Sequence, residues 1–409
     1  MQKDRIILGI SGSIAAYKAC DVASSLVKLG FDVVVVATAA ALEFAPARAL
    51  RALVGKEVIV FDSARGTREE TYGILEPLVS DALVYAIVPA SANTIAHIAH
   101  KQEKSAVDMC ALLAEQYHIP KLYAPAMNTY MYTHPATQEN LALLKAAGWI
   151  CVEPVEGRLA CKDEGTGKLA PVAAIVDAIS VVSCKTRDLQ GKTVVVSAGP
   201  TQEALDPVRY ITNHSSGTMG FEVARRAAAR GAYVVLISGP SALSTPFGVM
   251  RVDVTSAHEM FLAVQTHAQS ADIIIMSAAV ADFTPREQAH DKLKKDTFGE
   301  VGQQPSILLK PTQDILAWLG KSRMSHQRLV GFAMETKDLV KNAQAKLERK
   351  HADLIVANNL RDEGAGFGTQ TNRVTFISKE AVQELPLMDK RDVADAIFNE
   401  LLYNTPLVK

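Results

Sequence analysis

A single cysteine stands in a segment rich in lysines, acids and glycines, "RLACKDEGTGKLAP" at residues 158–171. Cys161 has no second cysteine near enough to form a metal or redox pair. A thiol with a pKa of about 8.5 is mostly protonated at neutral pH, so it can donate a proton, and its anion is stable enough to await another. Gly165 and Gly167 favour a lid that closes over a substrate. The alternative is an incidental surface thiol.

A small-residue turn follows the first apolar run, in "GISGSIAAYK". If a helix starts there, the backbone N–H groups of Gly12, Ser13 and Ile14 can bind an anion. A plain tight turn between strand and helix explains the same residues equally well. The spacing is not GxGxxG, so a dinucleotide is not the favoured ligand.

Two later strand ends carry polar side chains. "VPASANTIA" contributes Ser91 and Asn93, and "YAPAMNTYMY" contributes Asn128 between two methionines. Ligands of parallel α/β proteins bind at the carboxyl ends of the strands, where these residues would lie. Asn128 taken alone is better explained as a structural asparagine in a core-lining loop.

The densest group of polar residues is at 197–220, "SAGPTQEALDPVRYITNHSSGTMG". A strand ends in Gly-Pro-Thr, a loop carries Asp206, Arg209 and Asn213, and "HSSG" opens a helix whose first N–H groups can bind phosphate. Simple helix capping is the alternative for each residue singly.

Further along, "SAAVADFTP" ends a strand with Asp282, which could bind the amino group of a nucleobase. Lys292 lies in the cationic loop "HDKLKKD", although exposed lysine runs are usually solvated surface. Lys346 and Lys350 are four residues apart on a predicted helix and share one face. That pair of cations suits a polyphosphate.

These residues are positioned by apolar strand-like runs, such as "RIILGI", "DVVVVAT" and "LVYAIVPA", that alternate with helix-length segments. The alternation predicts parallel sheets with crossover helices. It breaks at a polar connector, 185–192, and then resumes. We therefore expect an α/β protein with two doubly wound Rossmann-like domains and mainly parallel sheets. The domains are expected at 1–186 and 187–409, and two of their helices at 14–29 and 338–351.

Composition narrows the class of protein. The 409 residues are 48% hydrophobic and 21% charged, with a net charge of -1, which is typical of a soluble globular protein and gives no electrostatic case for nucleic acid or membrane as a partner. The first residues lack a signal-peptide layout, and five cysteines without CxxC spacing indicate reduced thiols. We expect a cytoplasmic protein.

The ordered segments "SGSIAAYK", "TAAALEFAP", "PASANTIA", "APAMNTYMYTHPATQENL" and "ACKDEGTGKLAP" resemble the flavin-dependent cysteine decarboxylases. Over nearly all of 5–180 the resemblance is to the phosphopantothenoylcysteine decarboxylase half of the bifunctional coenzyme A biosynthesis family. It implies a flavodoxin-like domain in which Asn128 holds the substrate carboxylate and Cys161 protonates the enethiolate left by decarboxylation. The implied FMN contacts are Gly12, Ser13, Ile14, Thr38, Ser91 and Asn93.

One family residue is missing. The family has a histidine about one helical turn ahead of a Trp-Ala-Asp that leads into the third strand, but no histidine occurs in 67–88, where Gly73 or Leu75 takes its place. His100 and His134 are the nearest substitutes. The departure predicts flavin binding with weak decarboxylation, because an imidazole would help to form the thiolate that is oxidised.

The second half, over 190–400, resembles the phosphopantothenate-cysteine ligase domain through "DPVRYITNHSSGTMG", "SAAVADF", "KLKK" and "GFAMET". The resemblance implies that Asn213 holds the activated acyl phosphate and that magnesium accompanies the triphosphate, with no ligand named. Thr218 and Gln313 depart from the family's usual lysine and proline. The implied CTP contacts are Ser277, Ala278, Asp282, Lys292, Gln313, Asp314, Ile315, Leu316, Phe332, Lys346 and Lys350.

Together the two resemblances imply a homo-oligomeric enzyme of coenzyme A biosynthesis with small-molecule substrates. CTP drives the ligation of cysteine to phosphopantothenate, and FMN serves the decarboxylation of the product to phosphopantetheine. The alternatives are a ligase with a catalytically silent flavin-binding half, and a regulatory flavoprotein subunit. A nicotinamide oxidoreductase is disfavoured by the absent GxGxxG.

Overall fold

The computed structural model describes residues 4–61, 67–158, 164–294, 306–335, 338–359 and 369–403. The chain divides into two compact units between Lys185 and Thr186. Within the described ranges, no helix is both long enough and apolar enough to cross a bilayer.

The first unit contains a five-stranded parallel sheet with the strand order β2-β1-β3-β4-β5, the doubly wound order of flavodoxin-like folds. Its strands are almost continuously apolar because helices cover both faces of such a sheet. An antiparallel hairpin, β6–β7, lies outside the sheet. The strands are β1 (Arg5–Ile10), β2 (Asp32–Ala37), β3 (Ala82–Ala90), β4 (Lys121–Pro125), β5 (Ile150–Cys151), β6 (Val155–Arg158) and β7 (Glu164–Lys168).

Eight helices are described in this unit, together with two short 3-10 turns, Ile14–Lys18 and Ala39–Glu43. The predicted helix over 14–29 is therefore a 3-10 turn followed by a helix, because Ser13 caps the tighter turn with its side chain. The helices are α1 (Ala19–Lys28), α2 (Ala47–Val54), α3 (Arg68–Val79), α4 (Ala92–Ala99), α5 (Ala106–Gln116), α6 (Thr129–Thr133), α7 (Pro135–Ala146) and α8 (Val172–Val182).

The second unit contains an eight-stranded sheet with the order β12-β11-β8-β13-β16-β17-β19-β20. The first six strands are parallel and, counted within this unit, follow the Rossmann order 3-2-1-4-5-6, while the last two are antiparallel. The sheet strands are β8 (Thr193–Ala198), β11 (Tyr233–Ser238), β12 (Val249–Asp253), β13 (Ile273–Met276), β16 (Arg328–Glu335), β17 (Leu354–Asn359), β19 (Thr375–Ser378) and β20 (Val382–Glu384).

Three antiparallel pairs outside this sheet, β9–β10, β14–β15 and β18–β21, shape its loops. They are β9 (Gln202–Ala204), β10 (Tyr210–Thr212), β14 (Phe283–Pro285), β15 (Leu309–Pro311), β18 (Thr371–Asn372) and β21 (Met388–Asp389). The helices of the unit are α9 (Thr218–Ala229), α10 (Ala257–Ala268), α11 (Ile315–Ser322), α12 (Leu339–Lys350) and α13 (Lys390–Tyr403). The predicted α/β class with mainly parallel sheets is confirmed, and α12 confirms the helix predicted over 338–351.

Glycines allow the start of α9 to approach the end of β8 closely. A Cβ atom on Gly220 would lie 2.6 Å from the Cβ atom of Ala198 and 3.0 Å from the carbonyl oxygen of Ser197. Gly217, with φ +81°, caps α9 and would bring a Cβ within 3.0 Å of the Gly199 nitrogen. Side chains at these positions would push the N-terminus of α9 away from the edge of the sheet.

We predict that Gly220→Ala lowers the free energy of unfolding by about 1–3 kcal/mol, because the added methyl group overpacks the contact between α9 and β8. Gly73→Ala is the matched control, since Gly73 lies inside α3 and a methyl group added there would have no atom within 4 Å. That change should raise the free energy of unfolding by about 0.5–1 kcal/mol. Denaturant unfolding of both variants measures the difference, and equal effects would contradict the packing argument.

Candidate functional sites

A cavity of about 670 Å³ lies at the carboxyl ends of β1, β3 and β4. This is the edge where the strand order of a flavodoxin-like sheet reverses and where such folds bind ligands. The lining mixes apolar side chains with backbone of the first turn and with three cations. Its residues are Gly12, Ser13, Ile14, Ala15, Tyr17, Lys18, Ser91, Ala92, Ala126, Met127, Asn128, Met131, Arg158, Gly167, Lys168 and Leu169.

Serine side chains tie the loops after these three strands together. The Ser13 hydroxyl donates to the carbonyl oxygen of Ala126 over 3.1 Å. The Ser11 hydroxyl, fully buried, donates to the Pro89 carbonyl oxygen over 2.8 Å and accepts the Ser91 N–H over 2.7 Å. The loop after β1 is thereby fixed to the loops after β3 and β4, and the cavity floor is a single bonded unit.

Asn128 caps the short helix α6, because its side-chain oxygen accepts the Met131 N–H over 2.8 Å. The amide NH₂ group makes no hydrogen bond to the described residues and is therefore the part of Asn128 available to a ligand. The hairpin β6–β7 packs against this loop, since the Met127 N–H donates to the Gly167 carbonyl oxygen over 3.0 Å. A Cβ on Gly167 would lie 2.5 Å from the Met127 oxygen, so the contact requires glycine.

Cys161, the residue predicted to donate a proton, lies outside the described residues, in the segment 159–163 that connects β6 to β7. The described strands of that hairpin place Arg158 and Lys168 in the cavity lining. Gly165 and Gly167, expected to serve a lid, belong to β7 and pack against the Asn128 loop.

Two of the predicted flavin contacts do not line the cavity. The Thr38 hydroxyl accepts the Ala41 N–H over 3.2 Å and caps the 3-10 turn Ala39–Glu43. That turn packs against the loop after β1, since a Cβ on Gly12 would lie 2.7 Å from the Cβ of Ala40. Asn93 is exposed on the first turn of α4. Gly12, Ser13, Ile14 and Ser91 are brought together as predicted.

Sequence reasoning missed the three cations of this lining, Lys18, Arg158 and Lys168. Each lies in or beside a motif that was singled out for its small residues. Lys18 is the last residue of "GISGSIAAYK" and Lys168 is the last residue of "GTGK", so the sequence does place cations in these motifs. The cations give the cavity a positive potential that favours phosphate or carboxylate groups.

The two positions at which the family histidine would stand, Gly73 and Leu75, do not line the cavity of the first unit. Gly73 is exposed on α3, and Leu75 is buried in the hydrophobic core. The two substitutes make surface interactions instead. His134 caps α7, with its Nδ1 atom accepting the Ala136 N–H over 3.3 Å, and His100 is 3.0 Å from the side-chain oxygen of Asn140. None of these residues lines the cavity.

In the second unit, a cavity of about 780 Å³ opens at the carboxyl ends of β13 and β16 and along α12. It brings together most of the residues predicted to bind the nucleotide: Ala278, Asp282, Gln313, Asp314, Ile315, Leu316, Phe332, Lys346 and Lys350.

The two predicted lysines of α12 already have partners. The Lys346 ammonium group donates to the Phe332 carbonyl oxygen over 2.8 Å. Lys350 forms an ion pair with Asp314, which also caps α11 by accepting the Ala317 N–H over 2.9 Å. Burial would raise the pKa of the Asp314 carboxyl, but hydrogen bonds from Lys350 and the backbone outweigh burial and lower it. An acid from another element, at the N-cap of α11, therefore lies beside Lys350.

A neighbouring cavity of about 540 Å³ is formed by the N-terminus of α9, the loop after β13 and the carboxyl-terminal half of β16. It contains Asn213 and Ser277 and shares Ala278, Val280, Asp282, Phe332 and Lys346 with the first cavity. Three buried residues at its other end, Asn358, Asn372 and Lys390, were not predicted.

Asn213 clamps the loop opposite it. Its amide NH₂ donates to the carbonyl oxygens of Ala279 and Val280 over 3.1 and 3.2 Å. The two acceptors fix the orientation of the amide, and only its oxygen is left for other contacts. In this conformation Asn213 positions the loop that follows β13.

Lys292 is exposed and lies outside the lining of both cavities. Its neighbour Leu293 is held in place, because the Leu293 N–H donates to the Asp206 carboxylate over 3.1 Å and the Arg209 guanidinium donates to the Leu293 carbonyl oxygen over 2.6 Å. Arg209 also donates to Asp206 over 2.5 and 3.0 Å. Those bonds hold the pKa of the Asp206 carboxyl far below its ordinary value.

The described residues contain no group of three or more histidine, cysteine, aspartate or glutamate side chains arranged to bind a metal ion. Gln313, which departs from the usual proline, contacts the Nδ1 atom of His258 over 3.3 Å.

Comparison with known proteins places this pair of α/β units in a defined class, the pantothenate-metabolism flavoproteins. Residues 1–183 match the flavoprotein family model, and residues 189–404 match that of the DNA/pantothenate metabolism flavoprotein C-terminal domain. The coenzyme A biosynthesis bifunctional protein CoaBC of Bacillus subtilis (strain 168) is 40% identical over 404 residues, which is 97% of this chain and 96% of that protein. The chain belongs to the family of coenzyme A biosynthesis bifunctional proteins.

Two further similarities cover a smaller share of the chain. A cysteine/cysteine sulfinic acid decarboxylase from an unknown prokaryotic organism is 43% identical over 325 residues, covering 78% of this chain and 88% of that protein. The crystal structure of the C-terminal domain of a CoaBC protein is 40% identical and covers 53% of this chain and 96% of that chain, with a TM-score of 0.45.

We predict that Asp206→Asn releases the loop at Leu293, because the neutral amide loses the charged hydrogen bonds from Arg209. Hydrogen exchange of the Leu293 N–H should become at least about tenfold faster, while that of the β8 amides should not change. Since the folded-state pKa of Asp206 is depressed, its contribution persists above the unfolded value of about 3.9 and is lost as the pH falls further. Protection of Leu293 that falls between pH 7 and pH 5 would contradict this assignment.

Proposed function

We propose that this protein catalyses two consecutive steps of coenzyme A biosynthesis, one in each unit. The second unit ligates cysteine to phosphopantothenate with CTP, and the first decarboxylates the product to phosphopantetheine with FMN. Membership of the bifunctional family over 97% of the chain carries the proposal. The cavities at the switch points of both sheets support it, since α/β folds bind ligands there.

The residues of the first cavity fit a flavin. Ile14, Met127, Met131 and Leu169 offer apolar surface to a flat ring system, and the turn at 12–14 offers backbone N–H groups near Lys18 for a phosphate. FMN would supply reversible two-electron chemistry, because it would accept two electrons from the carbon–sulfur unit of the substrate, which prepares the adjacent carboxylate for loss as carbon dioxide, and would return them after that loss to give the thiol of phosphopantetheine.

The chain's own groups would bind the substrate and move protons. The Asn128 NH₂ group is placed to hold the cysteinyl carboxylate, since Asn128 lines the cavity and only its side-chain oxygen is used in capping α6. Cys161 would protonate the enethiolate carbon that remains after decarboxylation. Because no histidine of the described residues lines the cavity, Lys18, Arg158 and Lys168 supply the positive potential that favours the substrate thiolate.

In the second unit, the carboxylate of phosphopantothenate would attack the α-phosphorus of CTP. A new phosphorus–oxygen bond forms, pyrophosphate leaves, and the amine of cysteine then attacks the acyl carbon and displaces CMP. Binding and charge neutralisation dominate such chemistry. Ser277, Ala278, Asp282 and Phe332 would hold the nucleotide, and magnesium would be bound through the triphosphate.

The remaining parts of the proposal follow from the family and the composition. We propose that the protein works in the cytoplasm as a homo-oligomer on small-molecule substrates. Light scattering of the purified protein tests the oligomer, and a monomer mass at working concentration would refute it.

We predict that Lys292→Ala lowers CMP formation at least about a hundredfold, because a lost charge at the reacting phosphate costs transition-state stabilisation. The flavin absorbance per protein chain should be unchanged, since Lys292 belongs to the other unit. Lys321→Ala, which removes an exposed lysine of α11, is the matched control. Unchanged CMP release in Lys292→Ala would remove this residue from the reaction.

We also predict that Cys161→Ser lowers phosphopantetheine formation from added phosphopantothenoylcysteine by at least about a hundredfold, because a hydroxyl is a far weaker acid than a thiol. Flavin content should be retained. Cys20→Ser changes a half-buried thiol of α1 outside the cavity lining and serves as the control. Wild-type rates in Cys161→Ser would show that another group donates the proton.

A further inference from the structure

A fully buried serine stands immediately before the turn that lines the cavity of the first unit. Ser11 follows Ile10, the last residue of β1, and precedes Gly12, the first residue of that turn. It is 0% exposed and does not belong to the cavity lining. A ligand in the cavity therefore does not touch the Ser11 hydroxyl group.

The Ser11 side chain instead bonds to two backbone groups where β3 ends. Its hydroxyl donates to the Pro89 carbonyl oxygen over 2.8 Å and accepts the Ser91 N–H over 2.7 Å. The Ser11 N–H donates to the same Pro89 oxygen over 3.2 Å. One hydroxyl thus serves both as donor and as acceptor, which fixes the backbone between β3 and α4.

That backbone forms a wall of the cavity. Ser91 and Ala92, at the start of α4, both belong to the cavity lining. Ser91 is the N-cap of α4, and its hydroxyl accepts the Thr94 N–H over 3.4 Å. Without the Ser11 hydroxyl, the Ser91 N–H loses this acceptor, and a backbone group left without its partner away from water is costly. The start of α4 would consequently move to recover a hydrogen bond.

The turn at 12–14 forms a second wall, and Ser11 joins it to the first. Ser13 connects the turn to the loop after β4, through its bond to the Ala126 carbonyl oxygen. Ser11 connects the same turn to the start of α4. The separation between the turn and α4 is therefore set by one buried side chain that lies behind both walls.

We propose that Ser11 is a positioning residue for the flavin, which fixes the turn at 12–14 relative to the start of α4 and thereby sets the affinity for FMN. The proposal rests on the proposed function, which assigns FMN to this cavity. A ligand that contacts two walls binds more tightly when their separation is fixed beforehand, because ordering loops on binding costs part of the binding free energy.

Titration of the full-length, flavin-free chain with FMN, followed by flavin fluorescence, tests this role. Ser11→Ala should raise the Kd for FMN at least about tenfold, because the variant leaves the Ser91 N–H without its acceptor. The visible circular dichroism of the bound flavin should also change, since the ring would lie in a less fixed environment.

Ser183→Ala is the matched control. Ser183 is also buried in the first unit, at 5% exposed, and its hydroxyl donates to the Ser180 carbonyl oxygen over 3.2 Å at the end of α8. It does not belong to the cavity lining. This variant loses a buried serine hydroxyl elsewhere and should bind FMN with the wild-type Kd and the wild-type dichroism.

A merely structural role for Ser11 predicts a different pattern. Ser11→Ala would then lower the melting temperature of the flavin-free chain, but the folded variant would bind FMN as the wild type does. Ser11→Cys keeps the test valid if Ser11→Ala fails to fold, because a thiol fills the site but is a weak donor and acceptor. Its Kd for FMN should rise at least about threefold, and a wild-type value would refute the positioning role.

Failure of this inference is separable from failure of the proposed function. If the wild type binds FMN and folded Ser11→Ala binds it equally well, the positioning role is refuted and the flavin assignment stands. If the wild type does not bind FMN, both the flavin assignment and the positioning role fail.

Discussion

The close approach of a helix or turn to the end of a strand is the constraint on which both units depend. In the second unit, Gly217 and Gly220 allow α9 to start directly against the end of β8. In the first unit, Gly12 packs against Ala40, and Ser11 ties the loop after β1 to the loop after β3. Backbone N–H groups consequently face a cavity at the carboxyl edge of each sheet.

Charge is distributed around these edges by specific pairs rather than by an overall excess, since the chain carries a net charge of only -1. Asp206 fixes Arg209 beside the cationic loop, and Asp314 fixes Lys350 beside the larger cavity of the second unit. Lys18, Arg158 and Lys168 line the cavity of the first unit. The positions of Arg209 and Lys350 are thus set by ion pairs that form on folding.

The sequence predicts the features that depend on local patterns. Apolar runs such as Thr193–Ala198 identify the strands, and the periodicity of Leu339–Lys350 identifies α12. Residues that follow a strand directly, such as Ser13 and Asn128, could be assigned to the sheet edge because parallel strands share that edge. Strand order could not be derived in this way, because it is decided by tertiary packing of distant segments.

Residues brought in from outside the motifs were therefore missed. Asn358, Asn372 and Lys390 lie on three separate elements, and no spacing in the sequence joins them. Lys292 was expected at the nucleotide, yet in this conformation it lies outside both cavity linings. The departure at the family histidine was visible from sequence alone, but only the structure shows that neither Gly73 nor Leu75 reaches the cavity.

The central claim is that the two units catalyse consecutive reactions. It is tested most directly by the mass of the product made by the wild-type protein. Purified protein supplied with FMN would be given phosphopantothenate, cysteine, CTP and magnesium, and the products resolved by mass spectrometry. The account predicts phosphopantetheine together with CMP and pyrophosphate. Accumulation of phosphopantothenoylcysteine without phosphopantetheine would contradict it and leave an active ligase joined to a silent flavin-binding unit.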